Sequence, residues 1–309
     1  MRTALFGGTG FVGSYLVDAL LEAGHEAALL VRPGSESKVR QAGRCRLVSG
    51  EINDDDAVAS TLEGCDVVIY LIGILREDPA SGVTFKAMQY DGARRAIDAA
   101  KMSGIDRFLL MSANGVKPGG TAYQRTKFEA ERYLSDSGLK STIMRPAVIF
   151  GDPRGLMEFG TQLRDQMIRP PLPAPAFFSG LSPVTGSFSM TPVFVEDVAQ
   201  AFVRALGDDA TAGLTLHLGG SEELSWREII RRIAAACHRR KFVVPVPVMP
   251  VRAAAMLFDR FRFFPITRDQ LVMLMEGNTV STTHDFERLG LSPVAMTVKR
   301  LAYLSNNRP

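Results

Sequence analysis

The sequence predicts an α/β protein, a doubly wound, mostly parallel sheet with a small C-terminal lobe. Three observations predict it. Short apolar runs without polar alternation recur through the first 150 residues, as strands buried on both faces require. Stretches with apolar residues spaced by three and four lie between them. A glycine-rich turn, Gly7-Gly8-Thr9-Gly10-Phe11-Val12-Gly13, joins the first strand to the first helix. Such alternation implies right-handed crossovers with helices on both faces of the sheet.

The elements follow in order. Strand-like pieces are Thr3–Phe6, Ala27–Val31, Arg46–Val48, Val67–Leu71, Arg107–Met111 and Ser141–Met144. The first helix carries Val12, Leu16, Ala19, Leu20 and Ala23 on one face and stops at Gly24. Asp54 to Leu62, Phe85 to Met102 and Ala122 to Leu134 carry the same spacing. After Arg145-Pro146 the texture changes. Pro170 to Pro192 is rich in Pro, Gly and Ser and is expected to be a loop. Val193 to Leu206 reads as a short strand and a helix, and Leu214 to Leu218 as a strand; both are expected to return to the main sheet. Ser225 and Glu228 form a capping box for a helix reaching Cys237. The remainder is expected to be a smaller helical lobe.

Composition narrows the function classes. The 309 residues are 46% apolar and 22% charged, which excludes a disordered chain, a collagen and a coiled coil. A net charge of +3 is too weak to imply nucleic acid. Cys45, Cys65 and Cys237 lack C-x-x-C spacing, which points to a reducing, cytoplasmic compartment. The four histidines have no metal-ligand spacing, so no metal is expected. The chain opens directly on a strand, so no secretory leader is expected. No uninterrupted apolar run reaches the roughly 18 residues of a membrane span. Phe242 to Phe264 is apolar but broken by Pro245, Pro247 and Pro250. It is expected to be an amphipathic helix packed on its own domain, with a membrane surface or partner as the alternative.

The glycine turn carries the strongest chemical signal. Gly7 permits the sharp exit from the strand, Gly10 lets backbone approach a pyrophosphate, and Gly13 lets the helix sit close to the sheet. The helix start then offers free N–H groups and a positive dipole end. This strand–turn–helix context implies a Rossmann-like dinucleotide site. An NAD protein presents Asp or Glu about 20 residues beyond these glycines. Here Leu30-Val31-Arg32-Pro33-Gly34-Ser35 has none, and Arg32 offers a planar fork to a 2′-phosphate, with Ser35 and Lys38 assisting. NADP(H) is therefore favoured over NAD(H). Glu51 and Ile52, after the third strand, are candidates for the adenine. Residues 1–150 are read as the dinucleotide-binding domain, joined by 191–220. Residues 151–190 and 221–309 form the smaller substrate or partner lobe.

Tyr123 and Lys127 stand four apart near a helix start and share a face. They follow the fifth strand, which ends at Met111-Ser112. Together with Gly7–Gly13 and Arg145-Pro146-Ala147-Val148-Ile149-Phe150-Gly151, these residues make the sequence resemble the short-chain dehydrogenase/reductase superfamily, in its extended and atypical branches. Ile69–Leu75, Tyr123–Glu129, Thr191–Ala199 and Thr267–Gln270 resemble the nucleotide-binding accessory subunits of mitochondrial complex I and their bacterial relatives.

The resemblance implies a bound nicotinamide dinucleotide held by Gly7, Thr9, Gly10, Phe11, Val12 and Gly13, with Leu71, Ile72, Gly73, Pro146 and Ile149 along it and Lys127 on its ribose. It implies Tyr123 as proton donor and acceptor, Lys127 lowering its pKa, and Ser112 orienting the substrate oxygen. The function expected is an oxidoreductase acting on a small carbonyl, hydroxyl or quinone-like substrate. Alternatives are a non-catalytic NADP(H)-holding subunit or assembly factor of a respiratory or quinone-related complex, and a nucleotide-sugar epimerase or dehydratase. The Arg231-Arg232 and Arg239-Arg240-Lys241 clusters are expected to be solvated faces. A membrane-associated protein complex reached through this basic lobe is the alternative partner.

Overall fold

The apolar pieces of the first 150 residues assemble as strands of one sheet. The computed structural model describes residues 1–178, 188–249, 268–281 and 284–306. Along the chain come β1 (Arg2–Phe6), β2 (Glu26–Val31), β3 (Arg46–Ser49), β4 (Val67–Tyr70), β5 (Arg107–Met111), β6 (Lys140–Pro146) and β7 (Ile149–Phe150). They are followed by β8 (Ala174–Phe178), β9 (Ser189–Met190), β10 (Val193–Phe194), β11 (Thr215–Leu218), β12 (Leu224–Ser225) and β13 (Val243–Pro247). The helices used below are α1 (Phe11–Glu22), α2 (Asp55–Leu62), α3 (Gly92–Met102), α4 (Ala122–Ser135), α5 (Phe159–Leu163), α6 (Val195–Leu206) and α7 (Trp226–Ala236).

The chain divides into two units. The first comprises Met1–Pro146, Val195–Leu218 and His284–Leu291. Its seven strands run in the order β3-β2-β1-β4-β5-β6-β11, and all neighbours are parallel. The order reverses between β1 and β4, which opens a crevice at the carboxyl ends of those strands. Ala4, Phe6, Val68, Tyr70, Phe108 and Leu110 pack with residues of α2, α3 and α4. Their alternates Leu5, Ile69 and Leu109 are equally buried, and α1 packs with α6. Burial on both faces explains the unbroken apolar runs.

Two polar devices stand inside this unit. The buried Arg107 guanidinium donates to the carbonyl of Lys140 and to Thr142 Oγ1, each at 2.9 Å. It also donates to the carbonyl of Ala205 at 2.5 Å and to Thr211 Oγ1 at 2.8 Å. It thereby staples β5 to β6 and to the end of α6. The second device is a π-helical turn, Lys86–Asp91, that leads into α3. The sequence spacing predicts one α-helix from Phe85 to Met102; the structure widens its first turns instead. The reason is Tyr70, whose hydroxyl donates to the carbonyl of Met88 at 2.5 Å. A β-carbon at residue 92 would collide with that hydroxyl, so Gly92 occupies the position.

The second unit comprises Ala147–Phe194, Gly219–Thr283 and Ser292–Pro309. Its core gathers Phe150, Phe177, Phe188, Trp226, Ile229, Ile230, Ile233 and Leu301. The capping box of Ser225 and Glu228 starts α7 as expected. Trp226 is a core residue whose indole N–H donates to the carbonyl of Pro175 at 2.9 Å. Three expectations are corrected. The Pro170–Pro192 stretch is not all loop, because Ala174–Phe178 pairs in parallel with Val243–Pro247. For the same reason the lobe is not purely helical, and the helix expected from Phe242 begins as a strand. Pro245 and Pro247 lie in β13, which among the described residues pairs only with β8; on an edge strand a missing N–H is tolerated. Residues 250–264 of that expectation lie outside the described residues.

The Tyr70–Met88 bond gives the first prediction. Tyr70→Phe removes the donor of a carbonyl turned into the core, a loss of about 1–3 kcal/mol. Chemical denaturation should show the midpoint falling; an unchanged midpoint would mean that the π turn holds without it.

Candidate functional site

The residues singled out in the sequence collect at one edge of the first unit. Gly7–Gly13 follow β1, Arg32 and Ser35 follow β2, and Glu51 and Ile52 follow β3. Leu71, Ile72 and Gly73 follow β4, Ser112 follows β5, and Pro146 ends β6. Backbone bonds knit this edge together. The amide of Leu71 donates to the carbonyl of Phe6, that of Gly50 to Val31, that of Ser112 to Met144, and that of Asn114 to Pro146. Ile149 lies in β7, in the second unit.

The glycine turn is tight for a steric reason. Gly7 has φ +97°, and a β-carbon there would sit 3.1 Å from the amide nitrogen of Ile72. A β-carbon at Gly13 would overlap the carbonyl oxygen of Gly7 and lie 2.8 Å from the Cα of Gly8. α1 therefore begins directly against the turn. Its N-cap is Gly10, with no side chain capping it and no acid in its first turn. An uncapped, acid-free helix start of twelve residues suits a phosphate. Thr9 and Phe11 are partly exposed, whereas Val12 is core.

At the end of β2 the Arg32 side chain is exposed. Its carbonyl accepts from the amide of Ser35 at 2.9 Å, a turn that buries Ser35. One acid unweighed in the sequence, Glu36, accepts from the amide of Gly34 at 3.3 Å. Lys38 and Glu51 are exposed. Ile52 is buried in the core beneath α3.

The polar centre lies between β5 and α4. The capping box of Thr121 and Gln124 starts α4, which sets Tyr123 and Lys127 one turn apart on one face. Lys127 is buried. Its ammonium donates to the carbonyl of Met111 at 3.0 Å and lies 5.8 Å from the centroid of the Tyr123 ring. A β-carbon at Gly73 would touch that ammonium at 3.5 Å, so the loop after β4 reaches the lysine. Burial lowers the Lys127 pKa to about 8, with Glu131 opposing the shift. Burial also pushes the Tyr123 phenol above its ordinary value. Lys127 is engaged with the Met111 carbonyl in this structure. The hydroxyl of Ser112 is buried and has no hydrogen-bond partner among the described residues.

Sequence reasoning missed the frame around this pair. Phe85 meets the Tyr123 ring edge-on, with centroids 5.7 Å apart. Gln89, buried in the π turn, donates to the carbonyl of Ile74 at 3.1 Å and accepts from Thr126 Oγ1 at 2.8 Å. Thr126 lies between Tyr123 and Lys127. A polar residue inside an apolar helical stretch was the available signal for Gln89. For Glu131 it was the spacing of four from Lys127.

The residues fit a nicotinamide dinucleotide. The turn leaves no room for a β-carbon at Gly7 or Gly13, the helix start has no side-chain cap, and the buried Ser112 hydroxyl, without a partner among the described residues, follows the Met111 carbonyl that Lys127 engages. The fold and this edge define a dinucleotide-binding protein. A family model described as NAD(P)H-binding matches residues 7–169, and the chain belongs to that family, within the branch that resembles short-chain dehydrogenases.

Among its relatives is the 40 kDa subunit of mitochondrial NADH-ubiquinone oxidoreductase from Neurospora crassa. It is 24% identical over 98% of this chain and 79% of its own length. The Arabidopsis thaliana mitochondrial NADH dehydrogenase [ubiquinone] 1 alpha subcomplex subunit 9 is 28% identical over 90% of this chain and 69% of its own. A ceramide reductase of Caulobacter vibrioides is 26% identical over 83% and 77%. Among solved structures, gox2253 matches with TM-score 0.74 at 22% identity, covering 98% of this chain and 96% of that one. The UDP-glucuronic acid 4-epimerase of Bacillus cereus in complex with NAD matches with TM-score 0.73 at 18% identity, covering 99% of each chain. At these identities the structural likeness supports the fold.

The lysine gives a prediction with a definite sign. Its folded pKa is about 8, below the ordinary 10.5, so above pH 8 the folded chain releases the proton before the unfolded chain does. Stability from this group therefore rises as pH climbs from about 8 to about 10.5. Between about pH 7 and pH 10 the wild-type protein should gain on the order of 3 kcal/mol relative to Lys127→Met. Denaturant titrations at the two pH values check it; parallel pH profiles would refute it.

Proposed function

We propose that the protein is an NADP(H)-dependent oxidoreductase acting on a small carbonyl, hydroxyl or quinone-like substrate. The observation that carries this reading is the buried Tyr123–Lys127 pair beside the unpartnered hydroxyl of Ser112. In this reading Gly7–Gly13 and the start of α1 take the pyrophosphate. Arg32 and Ser35 take the 2′-phosphate, Glu51 and Ile52 flank the adenine, and Leu71–Gly73 and Pro146 line the nicotinamide end. When bound, the nicotinamide supplies hydride chemistry. The chain's own residues do the rest. Lys127 binds the ribose, Ser112 donates to the substrate oxygen, and Tyr123 exchanges the proton at that oxygen. Burial keeps the Tyr123 phenol protonated, so in this reading it can donate at neutral pH.

A second reading is favoured by the relatives that are named as complex I subunits. In it the protein holds NADP(H) without turnover, as a subunit or assembly factor of a respiratory or quinone-related complex. In the second unit a groove of about 340 Å³ is lined by Arg169, Arg239, Arg240 and Lys241 with Leu172 and Phe242. Leu172 is 71% exposed and Phe242 83% exposed, a surface of the kind a peripheral partner covers. Among the described residues no helix is long and apolar enough to cross a membrane. In this second reading the protein lies in the cytoplasm, at the periphery of a membrane-associated assembly.

Native mass spectrometry of freshly purified protein should show a retained dinucleotide carrying a 2′-phosphate. Arg32→Asp should weaken NADPH binding by about tenfold or more while leaving NADH binding in place; unchanged preference would overturn the assignment. Tyr123→Phe should retain NADPH and lose about 10²- to 10⁴-fold in turnover on a carbonyl and quinone panel. Retained dinucleotide with no wild-type turnover would select the holding role.

A further inference from the structure

The groove of the second unit is built from two stretches of chain, residues 168–173 and 239–242. The first leaves the π-helical turn Arg164–Ile168. The second leaves α7 through His238, whose φ of +54° turns the chain. Arg239 donates to the carbonyl of Arg169 at 3.0 Å. Lys241 donates to the carbonyl of Ile168 at 3.2 Å and to that of Pro170. Where β8 and β13 begin, the amide of Ala174 donates to the carbonyl of Phe242 at 2.8 Å. These bonds tie the two stretches into one platform. Pro170, Pro171 and Pro173 further restrict the backbone around Leu172. Leu172 and Phe242 nevertheless stay exposed. The fold has ordered two apolar side chains that it does not use in its core.

The charge around them has one sign. Arg169, Arg239, Arg240 and Lys241 line the groove, and no acid is among the described lining residues. Asp165, which is not one of them, pairs with Arg164 at 2.7 Å and with Arg169 at 3.0 Å. That acid offsets a single charge of the cluster. Cations around exposed apolar side chains match a bilayer interface, where apolar ends enter the acyl boundary and cations meet lipid phosphates. A folded partner would need its own pockets for Leu172 and Phe242, whereas a fluid acyl boundary takes them without matching their shape. The platform is already ordered, so docking costs little further chain entropy.

We propose that this groove docks the protein on an anionic lipid bilayer: Leu172 and Phe242 enter the acyl boundary, and Arg169, Arg239, Arg240 and Lys241 face the lipid phosphates. The proposal gives a chemistry to the partner that the second reading leaves open. It rests on the groove and not on turnover, so it stands under either reading.

The experiment sediments full-length protein with vesicles of phosphatidylcholine, with or without phosphatidylglycerol. The protein should sediment with the anionic vesicles only, and less of it as salt rises. Arg240→Ala removes an exposed cation and should weaken binding about fivefold. Lys101→Ala removes an exposed cation from α3 in the first unit and should leave binding near wild type. Phe242→Ser should weaken binding about tenfold or more. The single tryptophan, Trp226, is buried, so Phe242→Trp adds a surface reporter whose emission should move to shorter wavelength on anionic vesicles. Protein that stays in solution with both vesicle types, as it would if the groove served a protein partner, overturns the proposal. So do equal losses from Arg240→Ala and Lys101→Ala, which would mean net charge alone, and so does an unshifted emission from Phe242→Trp. An NADPH titration without vesicles keeps the two ideas apart. NADPH binding without sedimentation sinks the docking alone, and sedimentation without NADPH binding sinks the dinucleotide reading alone.

Discussion

α1 starts against the carbonyl oxygen of Gly7, at a distance that no β-carbon at Gly13 could share. That contact fixes where the helix begins, and the helix start fixes where an anion can sit. A β-carbon at the same Gly7 would press on the backbone of Leu71 and Ile72, so the loop after β4 lies close against the glycine turn. From that loop Gly73 reaches Lys127, and Lys127 reaches Met111 at the end of β5. The carboxyl edge is therefore a chain of close approaches, each allowed by a missing side chain or held by one buried cation.

The polar centre shows how one desolvated pocket pushes two groups in opposite directions. Burial favours the neutral form of both. For Tyr123 this means a phenol that keeps its proton, and for Lys127 an ammonium near the edge of losing one. The Met111 carbonyl and Glu131 both favour the charged lysine. The site is thus balanced rather than simply basic. Gln89 and Thr126 add a neutral tie from the π turn to α4, so the helix that carries the pair is held on the side away from the sheet as well.

Much of this was legible in the residues. Unbroken apolar runs such as Val67–Tyr70 gave away strands covered on both faces, and the spacing of Gly7, Gly10 and Gly13 gave away the turn. Thr121 and Gln124, or Ser225 and Glu228, mark helix starts by local chemistry that does not depend on distant contacts. What stayed hidden depends on partners far along the chain. Nothing near Lys86–Asp91 announces a widened turn, because its cause is Tyr70 on another element. Ala174–Phe178 looks like proline-rich loop until Val243–Pro247 supplies its ladder. The direction of the Tyr123 shift was hidden for the same reason: it depends on how deeply the fold buries the phenol.

The Arg107 staple has a consequence for how the protein comes into being. Its acceptors on Ala205 and Thr211 leave the ribosome about a hundred residues after the arginine itself, and β11, the neighbour of β6, follows them. Until then a nascent chain holds a guanidinium with half its acceptors missing and a β6 edge with open backbone groups. The first unit is complete only once Val195–Leu218 has joined it. Shortened forms ending near Pro146 would lack β11 and two of the Arg107 acceptors, and would leave that edge open.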